Sequence, residues 1–207
     1  MRVICYCLAF FCVFLQAKET PAQLALEKLK QGNLRYSQDK MRNGDLTGFF
    51  RQSIVGQQNP FAVIVGCSDS RVPPEIIFDQ GLGDLFIIRI AGNVVSDLEL
   101  ESILYAVKVL KTPLIMVLGH QNCGAVKAVI EGQTELIQNI ANLIKPAITL
   151  AKDCKPPILN CVIKNNVTLM VNKLLKNQSI ASRVKDQQLS VVGAFYNLDS
   201  GAVEFGL

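Results

Sequence analysis

The stretch Phe61-Ala62-Val63-Ile64-Val65-Gly66-Cys67-Ser68-Asp69-Ser70-Arg71 decides the reading of this chain. Its counterpart is Leu114-Ile115-Met116-Val117-Leu118-Gly119-His120-Gln121-Asn122-Cys123-Gly124. In each, a short uninterrupted apolar run ends at a glycine and is followed at once by a residue that can bind a metal. Runs of this length and β-branched content read as strands buried on both faces. Cys67 and His120 therefore fall at strand carboxyl ends, and Cys123 lies near the start of the next helix. Thiolate, imidazole and thiolate are three soft ligands, one short of a tetrahedron. That count suits zinc in a catalytic site, with one position left for water.

Working outward, the strand signals alternate with helix signals. Thr20-Pro21-Ala22-Gln23 is a helix start, with Thr20 as cap, Pro21 at the first position and Gln23 closing a capping box. Apolar residues then recur to Tyr36. Residues 38–60 are polar, carry Gly44, Gly48, Gly56 and Pro60, and read as mostly irregular. A short helix is expected over 74–79, a second strand over 84–90, and a loop at Ala91-Gly92-Asn93. Ser96-Asp97-Leu98-Glu99 opens a helix to about Leu110, and another covers 124–131. A long helix is expected over 134–153, kinked at Pro146, and a second over 158–176. Strands at 188–196 and 202–205 are joined by the turn-forming cluster 197–201. This alternation predicts an α/β fold: a mostly parallel central β-sheet flanked by helices, with a C-terminal antiparallel hairpin strand. In such sheets, sites gather at strand carboxyl ends, where Cys67 and His120 already stand.

Composition narrows the classes. The chain has 207 residues, half of them hydrophobic and 18% charged, and a net charge of +4. That is a globular composition, and the cations are scattered without a basic run, so nucleic acid is not an expected partner. Residues 1–17 stand apart: Met1-Arg2, then thirteen apolar residues from Val3 to Leu15, then Gln16-Ala17. Such a run is short of the ~20 residues of a membrane span and has the form of a secretory signal peptide. The expectation is a signal over 1–17, one domain over 18–207, no stable membrane span, and an exported protein, periplasmic or secreted. Removing the signal leaves Cys67, Cys123, Cys154 and Cys161. The last two flank Lys155-Pro156-Pro157 and are either a disulfide or two buried thiols.

Asp69 and Arg71 follow Cys67 at steps of two. In an extended loop they point the same way, so Arg71 could hold Asp69 ionised beside the metal. Asp69 could instead be the fourth ligand. Two thiolates cancel the charge of a zinc dication, so bound water is acidified less than at neutral ligands and benefits from a nearby carboxylate. Other chemistries lack their motifs: there is no Gly-x-Ser-x-Gly elbow and no glycine-rich phosphate loop.

Cys67-Ser68-Asp69-Ser70-Arg71 paired with His120-Gln121-Asn122-Cys123-Gly124 closely resembles the signatures of β-class carbonic anhydrases. The resemblance runs over about residues 20–207, though 38–60 does not follow it. It implies reversible, zinc-dependent hydration of carbon dioxide to bicarbonate and a proton, with one Zn2+ per subunit held by Cys67, His120 and Cys123. Asp69 would accept a hydrogen bond from the zinc-bound water, and Arg71 would hold Asp69. By the plant-type pattern, Gln58, Phe86 and Tyr105 would line the carbon dioxide pocket, the two aromatics coming from a neighbouring subunit, and the amide of Gly124 would help bind bicarbonate. Periodicity alone would place Phe86 and Tyr105 in the core. The resemblance further implies a homodimer or higher oligomer. Alternatives on the same scaffold are a carbon disulfide or carbonyl sulfide hydrolase and a non-catalytic zinc-binding protein.

Overall fold

Five strands form one sheet in the order β2-β1-β3-β4-β5: β1 (Ala62–Gly66), β2 (Leu85–Arg89), β3 (Leu114–His120), β4 (Ser190–Tyr196) and β5 (Val203–Phe205). The first four run parallel, and β5 pairs antiparallel with β4 at the edge. The computed structural model describes residues 19–207, so the expected signal over 1–17 lies outside the described residues. Every residue of β1 and β3 is buried, as expected of central parallel strands covered on both sides. Their side chains alternate between two cores. Val63, Val65, Ile115 and Val117 enter one, and Ala62, Ile64, Leu114, Met116 and Leu118 enter the other. A one-residue slip would exchange the two sets, so the apolar run fixes its own register.

The second core is covered by α1 (Pro21–Ser37) and α3 (Pro74–Ile77). Helix α1 begins at the expected capping box, Thr20 accepting from the Gln23 amide and Gln23 reaching back to Thr20. Its buried Asn33 bonds three backbone groups from distant parts of the chain. Nδ2 donates to Ile77 O at 3.2 Å and to Gly201 O at 2.9 Å, and Oδ1 accepts from Val203 N at 2.8 Å. The first helix is thereby stapled to the last strand.

The first core lies under α4 (Asp97–Lys108), α5 (Gly124–Ile130), α6 (Gln138–Thr149), α7 (Leu159–Leu175) and α8 (Gln178–Lys185). Ser96 and Glu99 close the expected box at the start of α4. Cys154 and Cys161 are joined as a disulfide, with Cα atoms 6.5 Å apart, clipping the turn between α6 and α7.

Several boundaries differ from the sequence expectation. The 38–60 segment contains a helix, α2 (Gly48–Ser53), whose Thr47 side chain caps the Phe50 amide. Helix α3 stops at Ile77 because Asp79 turns left-handed, at φ 47°. Ala91–Asn93 is a 3₁₀ turn rather than an open loop. Helix α6 is shorter than 134–153 and takes Pro146 inside it. Helix α8 has no counterpart in the expected elements; the left-handed Gln187, at φ 57°, follows it and delays β4 to Ser190.

Candidate metal centre

With strand order 2-1-3-4, the chain leaves β1 toward one side and β3 toward the other. The crevice between their carboxyl ends is the switch point where ligands bind in doubly wound sheets. Cys67 follows β1 directly, His120 is the last residue of β3, and Cys123 caps α5. The topology thus brings together two cysteines 56 positions apart. The three donor atoms all lie within 4.8 Å of one another, and it is the one such group found among the described residues.

The donor set fits a divalent soft-ligand metal. All three residues are buried, and the Cys67 and Cys123 sulfurs are 4.0 Å apart. Two sulfurs bound tetrahedrally to one zinc at ~2.3 Å would stand about 3.8 Å apart. His120 Nδ1 faces its neighbour's carbonyl, Gln121 O, at 2.9 Å. Donating there puts the proton on Nδ1 and leaves the Nε2 lone pair free, the usual arrangement of a metal-binding imidazole. Nε2 is buried with no hydrogen-bond partner. It stands 3.9 Å from Asp69 Oδ2, so two acceptors face each other, an arrangement that only a cation or a proton donor between them relieves.

The thiols agree. Cys123 hydrogen-bonds the Cys67 sulfur, which lowers the Cys67 pKa against the cost of burial, and the Gly92 amide adds to the effect. Donating that bond, burial and the charge on Cys67 all push Cys123 up. The pair gives up one proton readily and keeps the second, which a bound cation would release.

Asp69 faces Arg71 and is not among the three clustered donors. Arg71 Nε meets Asp69 Oδ1 at 3.0 Å and Nη2 meets Oδ2 at 2.8 Å, while the Arg71 amide donates to Oδ1 at 2.9 Å. This forked pair lowers the Asp69 pKa to about 2, against the cost of burial. The carboxylate is ionised and held in one orientation at the mouth of the site.

Sequence reasoning misses Arg89. Its Nε donates to Cys67 O at 3.0 Å and its Nη2 to Asp69 O at 2.6 Å, holding the backbone that carries both residues. The parallel register pairs Arg89 with Gly66, and register between two strands is not written in either one. Gln121 escapes it as well. It accepts from the Leu198 amide at 2.9 Å and donates to Asp199 Oδ2 at 2.8 Å, tying the β4–β5 turn to this loop.

The residues expected around the substrate are dispersed. A Cβ built on Gly124 meets nothing within 4 Å, so open space borders that backbone at the site. Phe86 on β2 and Tyr105 on α4 stand side by side, ring centroids 6.5 Å apart, at the sheet edge formed by β2. Tyr105 is 48% exposed and Phe86 half-buried, so neither is sealed in the core. Gln58 is exposed and precedes β1, whereas Cys67 follows it, and a five-residue strand spans about 17 Å.

A parallel sheet with an open Cys₂His donor set at its switch point, flanked by an ion-paired carboxylate, has the parts of a metal-dependent enzyme. Comparison with known proteins makes this specific. The carbonic anhydrase family pattern matches residues 62–203. A carbonic anhydrase of Mycolicibacterium smegmatis is 38% identical over 187 residues, 87% of this chain and 91% of that one. Carbonic anhydrase 2 of Mycobacterium tuberculosis is 36% identical, covering 86% and 89%. The solved Coccomyxa β-carbonic anhydrase, in complex with acetazolamide, superposes with a TM-score of 0.69 at 26% identity, covering 87% of this chain and 85% of that one. This chain belongs to the carbonic anhydrase family, in its β class.

Proposed function

We propose that this carbonic anhydrase hydrates carbon dioxide reversibly at the Cys67–His120–Cys123 centre, with Asp69 accepting the hydrogen bond that orients the reacting water and Arg71 holding Asp69. The observation that carries the reading is the forked Asp69–Arg71 pair set 3.9 Å from the unpartnered His120 Nε2. One zinc per chain, held by the two sulfurs and Nε2, would supply the Lewis acidity that makes water nucleophilic at neutral pH. Asp69 has its two oxygens engaged by Arg71 on one side and retains lone pairs toward the site. It accepts a hydrogen bond from water there and so turns the water's lone pair outward. Arg89 keeps Asp69 and Cys67 at a constant separation through their carbonyls. The Gly124 amide binds an oxygen of the bicarbonate product.

Stopped-flow hydration of carbon dioxide by the zinc-replete protein tests this, with Asp69→Ala alongside. Turnover is expected in the parent, and a loss of about 100-fold in kcat in the variant, the scale of a positioned proton acceptor. A folded, zinc-replete parent without hydration would refute the reading, and turnover of carbonyl sulfide instead would move the substrate to the sulfur analogue.

Gln58, Phe86 and Tyr105 lie away from their own chain's centre, which supports a pocket completed by a second copy docked along β2. Tyr105 and Leu98 are exposed on α4, which packs beside that edge strand, and Phe49 and Val55 in the segment leading to Gln58 are exposed as well. Sedimentation at assay concentration should give a dimer or larger species; a fully active monomer would contradict it. Export is the proposed destination, supported by the pattern of residues 1–17 and by the Cys154–Cys161 disulfide, which suits an oxidising compartment. Mass spectrometry of the mature protein should show the first 17 residues removed, and an intact Met1 in a cytosolic fraction would contradict it.

A further inference from the structure

Three side chains on one face of α7 grip a single stretch of backbone beside the metal centre. Asn166, Met170 and Lys173 are spaced by four and three residues, which stacks them on one helix face. Asn166 Nδ2 donates to Gly92 O at 2.8 Å, the Val95 amide points to Met170 Sδ at 3.2 Å, and Lys173 Nζ donates to Val95 O at 2.6 Å. Both ends of the segment 92–95 are thereby fixed to the helix. At the near end, the Gly92 amide donates to Cys67 Sγ at 3.3 Å. Gly92 has φ +72°, the left-handed region, and a Cβ there would come within 2.8 Å of Ile144 Cδ1. The position needs glycine for its conformation and for its space.

Asn166 is fully buried, and its Oδ1 has no partner. An unsatisfied buried acceptor costs about 1–3 kcal/mol. Its neighbours Val162, Ile163, Val167 and Met170 are buried and apolar, and a leucine among them would carry no unpaired acceptor but would leave Gly92 O without its donor. The amide is explained by what its other atom holds.

We infer that Asn166 is a positioning residue for the metal centre: it pins the carbonyl side of Gly92 so that the left-handed turn aims the Gly92 N–H at the Cys67 sulfur. The inference rests on the reading of Cys67 as a ligand. A thiolate that accepts an N–H bond gives less charge to its metal, which then draws harder on its other ligands. In a set where two thiolates cancel a dication, one such bond restores part of the acidity that the sulfurs remove. Asn166 thus acts on the reaction through Gly92 and Cys67 without touching substrate.

The test uses the full chain loaded with an NMR-active cadmium isotope. In the parent, the Gly92 amide proton should show scalar coupling to cadmium across the N–H···S bond and slow exchange with solvent. Asn166→Ala should lose that coupling, bind zinc about tenfold or more weakly against a chromophoric chelator, and shift the thiolate-to-metal charge-transfer band of the cobalt form. Its kcat should fall with little change in KM, and Asn166→Gln, which keeps the amide donor, should recover part of each effect. A parent that binds cadmium through its thiolates yet shows no coupling at Gly92 overturns the inference and leaves the ligand reading intact. A parent that binds no metal overturns the ligand reading. An Asn166→Ala protein that folds and keeps the parent's zinc affinity and cobalt spectrum also overturns the inference; if it does not fold, the coupling in the parent decides alone.

Discussion

His120→Ala abolishes activity and weakens zinc binding by more than about 100-fold, beyond the 10–100-fold typical of losing an outer partner of a metal ligand. The effect on the metal-free protein is far smaller, because two terms oppose each other. Removing the ring leaves a cavity, which destabilises, but it also removes a buried Nε2 that has no partner, at a gain of about 1–3 kcal/mol. Melting in chelator and in zinc separates the two. The parent should gain about 4 kcal/mol with zinc at a thousand times its dissociation constant, or about 8–16 °C for a domain of this size. The variant, at the same zinc concentration, should gain no more than about 1.4 kcal/mol, or about 3–6 °C. Equal zinc-induced shifts in both proteins would remove His120 from the ligand set.

Arg71→Ala moves the acid limb of activity to higher pH. The Asp69 carboxyl lies at about 2 chiefly because of the Arg71 side chain, and burial pushes the other way. With the guanidinium gone, burial acts with much less opposition, so Asp69 titrates nearer to or above the ordinary carboxylate value of about 4. The sign for stability follows from the same shift. A lowered carboxylate pKa stabilises the folded chain above about pH 4, and that contribution is lost as pH falls through about 2. Arg71 is about half exposed, with 54% of its side chain accessible, so the stability lost is small and the change appears mainly in the pH–rate profile. An acid limb that stays in place, in a variant with normal zinc content, would separate Arg71 from the state of Asp69.

Much of this centre is legible in the sequence, because burial and strand length write themselves into composition. The runs 61–66 and 114–119 read as central strands by their length and β-branched content, and a strand's carboxyl end is where its loop begins, so the positions of Cys67 and His120 follow from that reading. Asp69 and Arg71 follow from alternation along an extended loop, but whether Asp69 turns to Arg71 or to the metal depends on a rotation that alternation does not specify. Arg89 is hidden because it acts through strand pairing. Asn166 leaves a trace, a polar residue inside the apolar stripe of α7, but its partner Gly92 lies 74 residues away. Helix α8 is eight residues with one buried side chain, Ile180, too little apolar signal to stand out from a loop. Phe86 and Tyr105 look like core by periodicity, and only their exposure at the sheet edge separates them from it.

The staple at Asn33 carries a consequence for how the chain is made. Its partners Gly201 and Val203 are 168 and 170 residues further on, so they emerge during synthesis long after α1. Helix α1 can form early from its own capping box, yet it cannot fully satisfy its buried amide until Gly201 and Val203 are in place. Contacts of such separation are the slow ones to close. The tie between helix α1 and β5 is therefore one of the fold's longest closures, and its loop entropy weighs on the folding rate.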